Sequence, residues 1–386
     1  MTKLPALLVV LLLSAPLGIG QTYLVLPFFN QTSFETLDWV GESVAEALAG
    51  ALATEGNLVA DRAGRDNVLR QLAIKRYARL TRASVIKAAV SLDAALVISG
   101  RLEKSADLIR VTASILDVKR MTPAVEFSDM GTLDNLAALQ NRLAWQMLKH
   151  LAPASTPDED AYLLRSRLVT TDALESYARG LVTPQPENRI AQFGKAARLD
   201  PNFTPPIFEL GKLYFQRKQW AEASSWLARV PATAPTASDA LFHLGLARFQ
   251  LNEFEAAEKA FETVAQTVPL NEVFNNLGAA QSRRDQPEAL ANFEKALEGD
   301  QADPVYHFNV GYALLKQGKY AVAAERFRAV LDRAPGDTEA IQLLGRCLKP
   351  PTTRQPVTAG AERLKTAYQE AAYLQLKALL KGAKKP

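Results

Sequence analysis

The sequence is poor in the residues that chemistry at protein sites usually requires. Cys347 is the one cysteine among 386 residues, so no disulfide can form within the chain and no Cys-x-x-Cys motif exists. Its place inside a helical apolar pattern reads as that of a small buried hydrophobe. The histidines are His150, His243 and His307; the first ends a helical pattern and the others sit among apolar neighbours, which argues against a metal centre. Glycine-rich phosphate loops and Gly-x-Ser-x-Gly elbows are absent. Carboxylates such as Glu222, Glu255 and Glu258 read as solvated helix faces. The net charge of +4 is spread along alternating acidic and basic positions with no basic block, which argues against a nucleic-acid surface. Together these absences predict a chain without cofactor, metal or catalytic apparatus.

Long apolar runs are also missing. The longest candidate, Leu4 to Leu13, is shorter than the roughly 20 residues that span a bilayer. With Lys3 before it and the small residues Ser14 to Gly20 after it, residues 1–20 read as an export signal cleaved near Gly20-Gln21. No cysteine lies near that point to carry a lipid. The expectation is an exported, periplasmic chain with no stable membrane insertion after cleavage.

What is present divides in two. Over residues 21–151, an apolar run from Tyr23 to Phe29 suits a strand covered on both faces. Trp39, Val40, Ser43, Val44, Ala47, Leu48, Ala51 and Leu52 recur at helical spacing. A short strand at Asn57 to Ala60 and helices around Asp66 to Ile74 and Thr81 to Leu92 follow. Ala94 to Leu102 and Leu108 to Val118 form an expected hairpin turning at Lys104 to Asp107, with Ile109, Val111, Ala113 and Ile115 inward and Arg110, Thr112 and Ser114 outward. A strand near Ala124 to Phe127 precedes an amphipathic helix carrying Leu133, Leu136, Leu139, Leu143, Met147 and Leu151 on one face. This predicts an α+β sandwich domain.

The runs VLPFFNQTSFETLDWVGESVAEALAGAL and ALVISGRLEKSADLIRVTASILDV resemble the amino-terminal domain of the TolB translocation protein and its CsgG-like and FlgO-like relatives. That resemblance, over about residues 22–150, implies an envelope-associated, partner-binding domain. It carries over no binding residue, because the shared positions are packing positions.

The second half repeats. Residues 152–170 read as a linker, rich in Pro, Ser, Thr and acid at its start. Beyond it Gly211, Gly245, Gly278, Gly311 and Gly345, each after Leu or Val, lie 34, 33, 33 and 34 residues apart by subtraction of their numbers. Ala223, Ala257 and Ala323 follow twelve residues after three of these glycines, then Leu227, Phe261 and Phe327 four further on. Pro201, Pro235, Pro269 and Pro335 close repeats. An earlier, less regular unit carries Gly180, Phe193 and Ala196. Residues 171–349 are thus similar to tetratricopeptide repeats. The resemblance implies an all-α superhelix of stacked helix pairs, so the whole chain is expected to be multidomain.

After the array, a Pro-rich loop is expected at 350–360 and a capping helix with a basic tail at 361–386. The repeat resemblance places a peptide-binding groove on the first helix of each pair. Carried onto this sequence, its residues are Phe208, Lys212, Phe215, Phe242, Leu246, Phe249, Asn275, Arg283, Phe308, Tyr312, Lys316 and Arg346. The expected ligand is an apolar or amphipathic peptide held by the aromatics, its acidic end toward Arg283 and Arg346. Alanine at Phe242 or Phe308 is expected to weaken capture without loss of helix. The function expected is a non-enzymatic scaffold of the bacterial envelope binding a protein or peptide partner. An activator of a peptidoglycan polymerase and an enzyme with an unrecognised amino-terminal site are the alternatives.

Overall fold

The computed structural model describes residues 22–75, 77–120, 124–350 and 360–367. The expected export signal, most of the Pro-rich loop and the capping helix beyond residue 367 lie outside the described residues. Among the described residues, no helix is long and apolar enough to cross a membrane.

The apolar first run forms β1 (Thr22–Val25) and β2 (Phe29–Asn30), followed by α1 (Asp38–Thr54) and the short β3 (Leu58–Val59). Then come α2 (Arg62–Gln71) and α3 (Arg82–Ser91), whose first turns are capped by the side chains of Asp61 and Thr81. The hairpin is β4 (Ala94–Ser105) and β5 (Leu108–Asp117), completed by β6 (Val125–Thr132). The sheet order is β3-β1-β4-β5-β6, with β2 beside β4. Pairings of β1, β2 and β3 are parallel, and those of β5 antiparallel. The hairpin turn is tighter than the sequence suggested: Ser105 pairs with Leu108, and Ala106 takes a left-handed φ of 54°.

Alternation decides which face each residue joins. Ile98, Leu102, Ile109, Val111 and Ala113 pack against α1 and the long helix α4 (Leu136–Leu151). Leu24, Leu26, Val97 and Leu116 pack against α2 and α3 on the other face. Thr112, expected to point outward, is 4% exposed. It shares its sheet face with Leu116, which the second helix layer covers.

The expected linker is structured. It contains α5 (Glu159–Arg165), capped by Asp158, and Trp145 on α4 donates its indole N–H to Pro157 O at 3.1 Å. Helix pairs follow: α6 (Thr171–Val182) with α7 (Pro186–Leu199), α8 (Thr204–Gln216) with α9 (Trp220–Leu227), and α10 (Ala237–Gln250) with α11 (Phe254–Thr267). Next are α12 (Asn271–Arg283) with α13 (Glu288–Gly299), α14 (Pro304–Lys316) with α15 (Tyr320–Arg333), and α16 (Thr338–Leu348).

In the complete helix pairs the repeated glycine is a packing requirement, whereas a Cβ at Gly345 on α16 would meet nothing within 4 Å. A Cβ at Gly180 would sit 2.5 Å from the Phe193 ring, and one at Gly245 2.7 Å from Phe261. Only hydrogen lets the helices of a pair approach that far, and the aromatic of the second helix fills the space. The turn inside four of the five pairs, from α8–α9 to α14–α15, also repeats. Lys218, Asn252, Asp285 and Gly318 occupy the same position after their glycines, and all have positive φ. The amides of the residues following them, Gln219, Glu253, Gln286 and Lys319, bond back to Tyr214, Arg248, Gln281 and Leu314, satisfying carbonyls that a helix end leaves open.

The two halves share a core. α1 lies against α6, and Leu48, Leu143, Tyr177, Phe193 and Phe203 belong to one apolar cluster. Thr171 Oγ1 donates to Leu133 O at 3.1 Å, and the Arg62 guanidinium donates to Leu181 O.

Candidate peptide-binding groove

The first helices of the late repeats present an unusual set of buried amides. Asn275 and Asn276 on α12 and Asn309 on α14 are each 0% exposed. A side-chain amide costs several kcal/mol to bury unless its donors and acceptor are met, on the order of 2–7 depending on the reference. Here they are met by the chain itself. Residues 360–367, without helix or strand, lie along the groove antiparallel to α12, with Gly360 beside Arg283 and Lys365 at Asn276. The capping helix expected to begin at 361 does not begin there. Over these residues the backbone is committed to the asparagines, not to helical bonds.

Asn309 Nδ2 donates to Arg363 O at 2.8 Å and its Oδ1 accepts from Arg363 N at 2.9 Å. Asn276 does the same for Lys365, at 2.8 and 2.9 Å. Each amide thus replaces a neighbouring strand, satisfying both main-chain groups of one residue. Asn275 locks the pair: it donates to Arg363 O at 2.8 Å and accepts from Asn309 Nδ2 at 2.7 Å.

Side chains are held as closely. The Arg363 guanidinium lies 3.4 Å from the Phe308 ring centroid and forks onto both Asp337 oxygens at 2.5 and 2.8 Å, with Glu339 at 3.0 Å. Lys365 pairs with Asp303 and stands 5.0 Å over the Tyr306 ring. Asp303 and Asp337 are also the caps of α14 and α16, accepting from Val305 N and Ala340 N. The Arg363 hydrogen bond first, and burial against it, leave the Asp337 carboxyl below its ordinary pKa. Glu362 accepts from Ser282 Oγ at 2.7 Å, with Arg283 at 3.9 Å. Burial pushes the Tyr312 hydroxyl up to about 12, raised further by the Glu362 charge and opposed by the amides of Ala361 and Gly360.

The twelve residues expected to line the groove are therefore not equivalent. Asn275, Arg283, Phe308 and Tyr312 meet the docked segment directly. Lys316 stands beside it, bonding Ser282 O and pairing with Asp285. Phe242 and Leu246 are interior: Phe242 is 0% exposed and edge-on to Phe261, so it holds a helix pair together and offers the groove no surface. Phe249 is also buried, beneath the Arg283 guanidinium, which lies closer to Phe254. Phe208 carries Lys212 over its ring and Phe215 stacks edge-on to Trp220 and His243, both in earlier helix pairs, and Arg346 is half-buried on α16. Sequence reasoning missed Asn276, Asn309, Asp303 and Asp337. The available signal was an asparagine two positions before each of two successive repeat glycines, where other repeats carry Glu209, His243 and Leu343.

A second concavity of about 880 Å³ lies where the sheet domain meets the first helix pairs, lined among others by Glu46, Arg62, Arg65, Tyr177 and Phe208. Glu42, wholly buried, accepts from Arg65 at 2.5 Å and Arg62 at 3.0 Å. Glu46, 23% exposed toward solvent, is pushed up to about 7 by burial, with Arg65 opposing and the Glu42 charge assisting.

A tetratricopeptide repeat family model matches residues 239–271, which span α10 and α11. No curated protein matches the chain. Several solved structures are similar to part of it. MamA from Desulfovibrio magneticus RS-1 is 20% identical, over 43% of this chain and 95% of that one, with a TM-score of 0.39. YrrB, described as a TPR protein with an unusual peptide-binding site, is 20% identical over 50% and 93%, at 0.36. PilF of Pseudomonas aeruginosa is 19% identical over 46% and 83%, at 0.39. The chain is thus similar to tetratricopeptide repeat proteins at residues 239–271, and the glycine, aromatic and turn geometry of that matched unit recurs in neighbouring helix pairs.

Proposed function

We propose that the chain is an exported envelope scaffold without enzymatic activity, whose repeat array holds partner polypeptides in extended form. The supporting observation is the paired use of Asn276 and Asn309, each bonding both main-chain groups of a residue laid in the groove. Main-chain recognition of this kind grips any extended segment, while neighbouring side chains choose among sequences. The sheet domain, which resembles envelope partner-binding domains, would supply a second contact surface at the other end.

A peptide-display selection on full-length chain carrying Arg363→Ala, which loosens the resident segment, tests the groove. Binders should lose affinity when Asn276→Ala and Asn309→Ala are added. A selection yielding no asparagine-dependent binder would overturn the reading. Export is tested separately by fractionating cells of a Gram-negative host: a shortened chain in the periplasm supports it, and a full-length cytoplasmic chain rejects it.

A further inference from the structure

The grip on residues 363 and 365 follows a rule that the repeat geometry imposes. Asn276 and Asn309 sit at the same position of successive repeats, two before Gly278 and Gly311. They hold Lys365 and Arg363, two residues apart in the segment. Asp303 and Asp337 likewise sit at one repeat position, eight before Gly311 and Gly345, and take the side chains of those same two residues. Each segment residue is therefore held by its main chain to one repeat and by its side chain to the next. One repeat advances the segment by two residues, the period at which an extended chain returns to the same face.

The chemistry of the two side-chain sites differs. Asp337 and the Phe308 face together fit a planar, forked cation, which describes arginine and not lysine. Asp303 and Tyr306 receive a single ammonium. Between them Leu364 packs against the apolar core of the array, and before them Glu362 meets Ser282 and Arg283. Elsewhere in the array the asparagine position holds Glu209, His243 or Leu343, and the aspartate position Phe203, Ala237 or Leu270. The site is thus confined to the last repeats, and its pattern is Glu-Arg-Leu-Lys.

We infer that this groove selects extended partner peptides carrying an Arg-x-Lys motif, and that Gly360–Ala367 is the chain's own copy of that motif, closing the site until a partner's copy displaces it. The inference rests on the groove reading above and adds the ligand's sequence and the gate. An internal ligand competes at a high effective concentration, so a free peptide meets a closed site in the wild-type chain.

The test uses a fluorescent peptide of residues 360–367, GAERLKTA, and full-length proteins in anisotropy titrations. Arg363→Glu with Lys365→Glu should release the resident segment, and the peptide should bind that variant at least about tenfold more tightly than wild type. Adding Asn276→Ala and Asn309→Ala should abolish this binding, and a peptide with its Arg and Lys replaced by Glu should not bind at all. Equal affinity for wild type and the charge-swapped variant would overturn the gate. Absence of binding to that variant, with wild-type circular dichroism and urea midpoint, would overturn the motif. If the display binders that depend on the asparagines lack Arg-x-Lys, the groove stands and the motif falls. A wild-type dimer dispersed by the charge swap would mean that a second copy supplies the segment, overturning closure within one chain.

Discussion

Asn309 and Arg363, far apart in the chain, are joined as two strands of a sheet would be, the amide of one exchanging hydrogen bonds with both main-chain groups of the other. The bond pair ties the end of the described chain to the late repeats of the array, and the behaviour of the groove follows from it.

Replacing Asn309 with leucine removes the partner of the Arg363 N–H in a covered site and leaves its C=O to Asn275 alone, a loss of about 1–3 kcal/mol. Hydrogen exchange at the amides of Arg363 and Lys365 should accelerate by about tenfold or more, while amides of α10 and α11 keep their protection. Unchanged exchange at Arg363 would mean that the Asn309 amide does not hold the Arg363 main chain.

Docking of the segment should fail in acid. The Asp337 carboxyl is held below its ordinary pKa, first by the Arg363 hydrogen bond. A depressed carboxyl contributes stability above its unperturbed value and loses it as the pH falls through the folded one. The side-chain amide resonances of Asn276 and Asn309 should therefore move toward undocked positions below about pH 4, and Asp337→Asn should remove that dependence. A shift equally large in the variant would assign the change to another group.

Glu46 has the opposite sign. Burial raises its pKa to about 7, so its contribution is complete below the ordinary carboxylate range and lost as the pH rises through about 7. Urea midpoints of the wild type should fall between pH 5 and pH 8, and Glu46→Gln should be the more stable protein at pH 8. Parallel curves for the two proteins would refute the assignment.

Phe242 and Phe308 separate packing from recognition. Both are 0% exposed and edge-on to a phenylalanine of the paired helix, so alanine at either should cost about 3–5 kcal/mol in chemical denaturation. Only Phe308 also lies under the Arg363 guanidinium. Loss of affinity for GAERLKTA, measured in the charge-swapped background at temperatures where the helices persist, should appear with Phe308→Ala and not with Phe242→Ala. Equal losses would place both rings in the core alone.

Much of the fold was legible because it is written locally. The 33- and 34-residue spacing of glycines reflects a steric demand that each helix pair meets within itself, as Phe261 shows against Gly245. The alternation of Ile109, Val111 and Ala113 likewise follows from strand geometry. Thr112 misled because alternation says which face a residue joins, not whether that face is covered. Phe242 misled for a related reason: both rings pack on the paired helix, but only at Phe308, two repeats later, does the docked segment also lie on the ring.

The sequence by itself determined the hairpin period, the small and large residues that let paired helices meet, and the alternating core of the sheet, since each depends on neighbours a few residues to one repeat away. Only the tertiary structure decided that residues 360–367 lie in the groove and that Asn276, Asn309, Asp303 and Asp337 converge on them. Those partners lie 54 to 89 residues from Arg363 and Lys365 where the asparagines hold the main chain. No local periodicity encodes a contact of that range. It forms because buried amides and charges must find partners, and the docked segment supplies them.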